Sequence, residues 1–276
     1  MIVVIKVKPL TRELEDSFDR NLREDPLTNF FYLNDLHNPR ERKKSEFYIA
    51  LRDDRIEGKL LVYRGMDIGS VWIRGTREAA SHLLEALSVP DRAVFNVDRE
   101  LDDVIRRKIS IISEYPTEVM VLRTGEHRVF VKHGVEQLIE ENAINYLRLF
   151  REYQPSLGAI KEDEIQKFKT NLRTRNLYGV FVDGSLVSTT VLSGYPASED
   201  IRWIGFTFTK EGYRGRGFAT SLVSRAVSDA FEHSGVRSIG LMVRSTNTAA
   251  KHVYGKIGFK KHRELAWLNY DTDMAP

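Results

Sequence analysis

The sequence predicts a mixed α/β protein of two tandem units, each a mixed sheet flanked by helices. Strand-like runs alternate with patterns of helical period along the chain, which favours sheets covered by helices. The same order of elements occurs twice: strand, helices, hairpin, strand, loop, helix and strand. We therefore expect a duplicated unit, divided into residues 1–127 and 128–276, although the two halves share little sequence identity.

The individual elements are assigned from apolar spacing and from chain breakers. In the first half, strand patterns cover residues 2–7, 47–51, 59–63, 70–73, 93–97 and 118–122, and helical patterns cover 12–23, 27–36 and 78–87. In the second half, strands are predicted at 178–182, 186–193, 201–209, 238–243 and 264–270, and helices at 136–153, 161–173, 218–234 and 248–257. Asp183-Gly184 joins the first two of these strands, because it supplies the positive φ angles of a tight hairpin turn.

Composition excludes several classes of chemistry. The chain has 276 residues, 42% of them hydrophobic, which is enough to bury a sizeable core. It contains no cysteine, which excludes disulfide scaffolds, thiolate metal sites and cysteine nucleophiles. The histidines show no metal-binding spacing, so we expect no metal. No apolar run approaches the roughly 20 residues that cross a bilayer. The N-terminus lacks a signal-peptide pattern, so we expect a cytoplasmic protein without a membrane partner.

Three basic clusters, at residues 40–44, 106–108 and 173–175, raise the question of nucleic-acid binding. The net charge is only +3, and no aromatic residues suited to base stacking are interleaved with the clusters. We interpret the clusters as solvated surface and expect no nucleic-acid partner. The sequence leaves the oligomeric state open.

The strongest chemical signal is a glycine-rich loop, residues 212–217, between a predicted strand and a predicted helix. Gly215 and Gly217 let the backbone approach a ligand closely, and Arg214 and Arg216 add positive charge. The first N–H groups of the following helix lack intrahelical partners, so a phosphate or pyrophosphate is the natural occupant. A plain structural turn is the alternative. The P-loop ending Gly-Lys-Ser/Thr is absent, and the third glycine of a dinucleotide-binding loop is replaced by Thr220.

Two blocks carry a resemblance to a known family. The motif Arg214-x-x-Gly217-x-Ala219 resembles the signature of the GNAT superfamily of acyl-CoA N-acyltransferases, and Asn247, Ala250, Tyr254 and Gly258-Phe259 resemble its second block in the same order. The resemblance covers about residues 128–271. Residues 204–219 and 186–190 further resemble the tandem-domain branch that includes glycine N-acyltransferases, whose first unit is degenerate.

The resemblance implies an acetyltransferase that moves an acetyl or other acyl group from acetyl-CoA (acyl-CoA), its co-substrate, to a small-molecule or peptide amine by direct attack. Tyr254 would be the general acid that protonates the leaving thiolate. The coenzyme would be held by Phe208, Thr209, Arg214, Gly215, Arg216, Gly217, Phe218, Ala219, Thr220 and Asn247. Side-chain alternation should place Thr207 and Thr209 on one face of the strand, and Phe206 and Phe208 on the other.

Several alternatives stay open at the level of sequence. Tyr254 also fits a core aromatic of its helix, and Asn247 also fits an N-cap. The strand glutamate that some relatives use as general base is replaced by Trp203. The remaining candidate bases are Glu199, Asp200, His252 and His262, each of which also fits a solvated surface residue. A weak or water-relayed base favours an α-amine, a small amine or an aryl amine over a lysine side chain, since an α-amine is about a tenth neutral at pH 7 whereas a lysine is almost fully protonated.

The first half departs from the family pattern. Its counterpart loop, residues 73–80, has one glycine and no Arg-x-x-Gly-x-Ala motif. We infer that the first unit no longer binds coenzyme A and has a structural or substrate-cleft role. The alternative function for the whole chain is a non-catalytic acyl-CoA-binding or regulatory protein that keeps the fold.

Overall fold

The computed structural model describes residues 6–172, 176–195, 198–233 and 235–273. The chain divides into two compact units. Unit 1 comprises Met1–Val119, Arg244–Thr246 and His262–Pro276, and unit 2 comprises Met120–Val243 and Asn247–Lys261. The boundary predicted after residue 127 falls inside unit 2. Within the described ranges, no helix is long and apolar enough to cross a membrane.

Unit 1 is a mixed sheet with helices. Its strands are β1 (Lys6–Pro9), β2 (Ser45–Arg52), β3 (Arg55–Tyr63), β4 (Gly69–Gly75) and β5 (Arg92–Asp98), together with parts of β6 (Ser113–Arg123) and β12 (Lys260–Asp271). Its helices are α1 (Arg12–Leu22), α2 (Phe30–His37), α3 (Pro39–Arg42), α4 (Arg77–Ala86) and α5 (Asp102–Arg106). The order is β1-β2-β3-β4-β5-β12, in which only the β4–β5 pair is parallel among these neighbours. The core lies between the sheet and helices α4 and α5.

Unit 2 repeats this plan. Its strands are the end of β6, β7 (Glu136–Gln137), β8 (Asn176–Val182), β9 (Ser185–Tyr195), β10 (Ser198–Thr209) and β11 (Ser238–Arg244), in the order β6-β11-β10-β9-β8-β7. Its helices are α6 (Ala143–Tyr153), α7 (Glu162–Leu172), α8 (Phe218–His233) and α9 (Thr248–Ile257). One core packs against α8 and α9, and a second packs against α6 and α7. The predicted fold class, mixed α/β with tandem units, is confirmed.

The clearest error of the sequence prediction concerns the helix at 136–153. Leu138 donates its backbone N–H to Leu177 in β8, so the segment starts as the edge strand β7. Ile139 is extended, and a 3-10 turn over Glu140–Asn142 precedes α6. Of residues 136–139, only Leu138 is buried, in the core that packs against α6 and α7. Parts of three other predictions, residues 2–5, 173–175 and 234, lie outside the described residues.

Candidate functional site

The site is built where two parallel strands of unit 2 stop pairing. β10 pairs with β11 from Ile201 opposite Ser238 to Ile204 opposite Leu241. On its other edge, β10 stays paired with β9 as far as Thr209 opposite Ser188. The β11-facing edge of β10 is therefore free of this ladder after residue 204, and backbone N–H and C=O groups there are available to a ligand.

A β-bulge interrupts β10 at this point. Gly205 pairs with Val191 and Phe208 with Thr189, so β10 holds one more residue than β9 between the two pairs. Phe206 has a φ of 48°, in the left-handed region that large side chains rarely adopt. Such bulges re-aim side chains and are common beside active sites. The sequence prediction of a plain strand missed the bulge.

The two faces of β10 follow the predicted alternation. The hydroxyl of Thr207 lies 2.6 Å from that of Thr190, and the hydroxyl of Thr209 lies 2.7 Å from that of Ser188, so both threonines lie on one face. Phe208 packs on the opposite face, in the core against α6 and α7.

Tyr254 of α9 lies on the threonine side of the bulge. Its side chain is only 8% exposed, and it shares a hydrogen bond with the side chain of Thr207. Burial raises the pKa of the Tyr254 phenol, and the bond with Thr207 offsets part of this rise. Its ring also packs edge-to-face on Phe259, 5.8 Å between centroids. Tyr254 is thus a packed core aromatic whose neutral O–H is kept next to the bulge.

The glycine loop has the backbone conformation that its sequence predicts. Gly215 and Gly217 have φ angles of 75° and 86°, and α8 begins immediately after them at Phe218. Arg214 folds back and donates from Nε to the carbonyl of Thr209 (3.1 Å). Arg216 stays exposed, with its guanidinium 5.3 Å from the ring centre of Tyr213. Open helix N-terminal amides and two cations at one loop suit a pyrophosphate.

A histidine that sequence reasoning missed holds this loop. Residues 128–133 form an extended strap on α8: the N–H groups of Phe130 and Lys132 donate to the buried hydroxyls of Ser224 and Ser221, at 2.8 and 3.0 Å. At the end of the strap, Nε2 of His133 is 2.8 Å from the carbonyl of Arg216. Its ring also packs on Phe218, with centroids 4.2 Å apart. Local spacing carries no signal for this contact, because 83 residues separate the partners.

Asn247 begins α9 as an N-cap. Its side-chain oxygen accepts a hydrogen bond from the N–H of Ala250 at 3.0 Å, and the residue is exposed. This confirms the capping interpretation and leaves its amide nitrogen for a further contact.

A cleft of about 320 Å³ joins several of these parts. Of the predicted residues it is lined by Phe208, Thr209 and Arg214, and α6 adds Leu149 and Tyr153, which the sequence did not single out. Ala219 and Thr220 lie half-buried in the first turn of α8.

Some of the candidate general bases have a charged partner, and others are exposed to solvent. Trp203 is buried and carries no titratable group. Asp200 is ion-paired with Arg237 at 2.6 Å, and His262, in unit 1, lies 3.2 Å from Asp25. His252 is exposed, and the side chain of Glu199 lies outside the described part of the chain. Among the described residues, no group of three or more acidic or histidine side chains could hold a metal.

The counterpart region of unit 1 is closed. β4 and β5 pair from Gly69 opposite Ala93 to Ile73 opposite Val97. Beyond that point the buried guanidinium of Arg74 donates from Nη1 to the carbonyls of Ile73 and Asn96, both at 2.8 Å. The N–H of Ala79 in α4 is taken by the hydroxyl of Thr76 at 3.2 Å.

The comparisons with known proteins agree with this geometry. Residues 143–259 match the model of the Acetyltransferase (GNAT) family. No curated protein matches the sequence. The fold is similar to that of a Drosophila protein solved by a structural genomics consortium (TM-score 0.71, 16% identity, 98% of this chain and 100% of that chain). A tandem GNAT protein from the clavulanic acid biosynthesis pathway is also similar (0.63, 14%, 98% and 99%). So is an acetyltransferase from the GNAT family of Colwellia psychrerythraea (0.60, 12%, 96% and 100%).

At such identities the solved structures show the fold alone, whereas the family match concerns the sequence. The family match assigns residues 143–259 to the GNAT acetyltransferase family, and the solved structures extend the similarity of fold to nearly the whole chain. This family and fold support acyl transfer from coenzyme A in general.

Proposed function

We propose that this protein is an N-acetyltransferase that moves the acetyl group of acetyl-CoA to a primary amine by direct attack. The observation that carries the proposal is the buried Tyr254 beside the bulge of β10, at the point where β10 and β11 cease to pair. A thioester lying along the free edge of β10 would meet backbone N–H groups on one side and a neutral phenol on the other.

The proposed site for the coenzyme is the loop from Arg214 to Thr220. The left-handed Gly215 and Gly217 turn the chain so that the first amides of α8 face outward, and the helix dipole favours an anion there. Phe208 and Thr209 lie on the route from this loop to the bulge, and Asn247 at the start of α9 has an amide nitrogen free of its capping bond.

The proposed chemistry assigns one role to each group. The amine nitrogen bonds to the thioester carbonyl carbon, whose oxygen is polarised by a backbone N–H of the bulge. The carbon–sulfur bond then breaks, and Tyr254 gives its proton to the sulfur. The raised pKa of Tyr254 keeps that proton in place until thiolate forms. We assign to water the proton that the amine loses; of the candidate bases, Asp200 is ion-paired with Arg237 and His262 lies beside Asp25.

We further propose that unit 1 does not bind coenzyme A and has a structural or substrate-cleft role, with residues 128–276 as the catalytic part. Two contacts support this proposal. The Arg74 guanidinium bonds to the carbonyls where a thioester arm would otherwise insert, and Thr76 occupies an N-terminal amide of α4.

A second candidate is a non-catalytic acyl-CoA-binding protein. It is favoured by Trp203, which stands where a carboxylate base would be expected and is 6% exposed. Turnover decides between the two, because both predict binding of the coenzyme.

Substitution of Tyr254 by Phe tests the catalytic proposal. The variant keeps the ring that packs on Phe259 and removes the hydroxyl, with its acidic proton and its bond to Thr207. General acids contribute about 10²–10⁴-fold, so kcat should fall by about two orders of magnitude or more while the Kd for coenzyme A stays the same. The matched control is Tyr178→Phe, which removes the hydroxyl of a second buried tyrosine of unit 2, hydrogen-bonded to Asp229. A Tyr254→Phe enzyme with kcat like that of the control would exclude the general-acid role. Wild-type binding without turnover of any amine would favour the second candidate.

A further inference from the structure

An aromatic cluster covers the face of unit 2 opposite Tyr254. Its members come from one face of α6, from α7 and from the bulge of β10: Tyr146, Phe150, Tyr153, Phe168, Phe206 and Phe208. Tyr146 stacks on Phe168 at 4.3 Å, and Tyr153 stacks on Phe208 at 5.0 Å. Phe150 meets Phe206 edge-to-face at 6.5 Å. The cluster is continuous from the second core of the unit to the bulge.

Two members of the cluster reach solvent. Phe206 is 60% exposed and Tyr153 is 56% exposed, whereas Phe208 is buried between them and the core. Phe206 moreover holds a φ of 48°. An exposed phenyl ring on a disfavoured backbone angle contributes little to folding. The arrangement is instead typical of a residue retained for contact with a ligand.

The position of Phe206 links this surface to the proposed reaction. Thr207, the next residue, contacts Tyr254, and Phe206 lies on the other face of the same bulge. Tyr153 and Phe208 line the 320 Å³ cleft that reaches Arg214, and Phe206 borders the same aromatic cluster through its contact with Phe150. The coenzyme would occupy the Arg214 side of this cleft, so an acceptor that approaches the bulge from the side of α6 would meet the rings of Tyr153 and Phe206.

The charges around the cluster argue against an anionic acceptor. Two of the basic side chains beside the α6 aromatics are ion-paired: Arg151 with Glu164 at 2.5 Å, and Lys210 with Glu152 at 2.8 Å. Arg214, the other cation of the cleft, is assigned to the coenzyme. A carboxylate on the acceptor would have to compete with Glu164 or Glu152 for these two cations.

We propose that the acceptor is a primary amine that carries an aromatic ring, and that Phe206 and Tyr153 determine this specificity by packing against the ring. The inference rests on the proposed acetyltransferase function. As in the proposed function, the nitrogen–carbon bond forms first, the carbon–sulfur bond then breaks with the proton of Tyr254 going to sulfur, and water takes the proton that the amine loses. The aromatic ring takes no part beyond holding the amine in line with the carbonyl, through edge-to-face or offset contacts.

The test compares primary amines with the purified full chain and acetyl-CoA, and kcat/KM is expressed per neutral amine at the assay pH because the amines differ in basicity. Phenethylamine, propylamine and glycine are the probes, and free thiol release and acetylated product are both measured. Phenethylamine should exceed propylamine in kcat/KM by about 10- to 100-fold, the range that one apolar contact provides. Phe206→Ala and Tyr153→Ala should each remove most of this preference and leave the Kd for coenzyme A unchanged. The matched control is Met66→Ala, a substitution of an equally exposed apolar residue (61%) in unit 1, which should change neither the preference nor the Kd.

The outcomes separate the two proposals. Preference for phenethylamine that both variants abolish supports the inference. Turnover highest with propylamine or glycine, or an aromatic preference that survives in both variants, overturns the inference and leaves the acetyltransferase proposal intact. Coenzyme binding without turnover of any amine overturns the proposed function, and the inference with it. Because both substituted side chains are exposed, a melting temperature near that of the wild type verifies that each variant folds.

Discussion

Substitution of Gly215 by Ala should raise the Kd for coenzyme A about tenfold, at a cost of about 1 kcal/mol to the fold. Gly215 has a φ of 75°, and nothing lies within 4 Å of the position of an added Cβ. The added methyl therefore meets no neighbour, and its only effect is backbone strain, about 1–2 kcal/mol for a non-glycine residue in the left-handed region. Gly184 in the hairpin turn between β8 and β9 has a φ of 74° and is equally open, so Gly184→Ala is a matched control.

The expected magnitudes follow from the strain. Both variants should lose about 1 kcal/mol of unfolding free energy, a fall in Tm of roughly 2–4 °C. In Gly215→Ala the exposed loop can relax to a different conformation, and binding must then restore the original one. A restoring cost of about 1.4 kcal/mol corresponds to a tenfold higher Kd. Gly184→Ala should bind coenzyme A like the wild type.

Isothermal titration calorimetry with coenzyme A measures these constants directly, and thermal unfolding without ligand measures the strain. Equal Kd values for the two variants, with equal losses in Tm, would refute the reasoning that Gly215 shapes the binding loop. A Gly215→Ala variant with a raised Kd but no loss in Tm would still place this loop at the coenzyme-binding site. The loop would then have relaxed to a conformation without strain.

Two further predictions concern the strap and a buried carboxyl. His133→Ala should raise the Kd for coenzyme A severalfold, because the carbonyl of Arg216 loses its hydrogen-bond partner. His133→Gln should recover most of the affinity, since the glutamine amide can donate in the same place. Titration calorimetry measures both constants, and equal Kd values for the two variants would contradict this role of His133. In unit 1, burial raises the pKa of Asp35 to about 6, despite hydrogen bonds from Ser45 and Asn34. The folded carboxyl therefore binds its proton more tightly than the unfolded one, and the unfolding free energy should fall as pH rises from about 4 to 6, by up to about 3 kcal/mol. Asp35→Asn should flatten the denaturation profile in that window, and an unchanged slope would contradict this assignment.

The sequence predicted the parts of the site that depend on local chain geometry. Glycines with positive φ before α8, the Asp183-Gly184 turn and the N-cap of α9 each require particular residue types at fixed spacing, so they could be read from the residues alone. The tandem arrangement was readable for a related reason: the order of elements repeats.

The parts that were missed depend on contacts between distant segments. The bulge at Phe206 leaves the apolar alternation of β10 unbroken, and only the adjacent Gly205 hints at it. His133 contacts Arg216 only because the fold places the strap on α8, and no spacing of residues in the sequence predicts this contact. β12 pairs with β5, so the last strand of the chain completes the sheet of unit 1. The aromatic cluster had a signal, because Tyr146, Phe150 and Tyr153 are spaced as i, i+4 and i+7.

The central claim is that unit 2, and not unit 1, holds one acetyl-CoA at the loop that precedes α8. Calorimetric titration of the purified full chain with acetyl-CoA tests it most directly, because the stoichiometry and the affinity come from one experiment. The account predicts one molecule bound per chain, with the affinity lowered by Gly215→Ala. No binding would contradict the assignment of the loop, and two molecules per chain would contradict the closed counterpart site around Arg74.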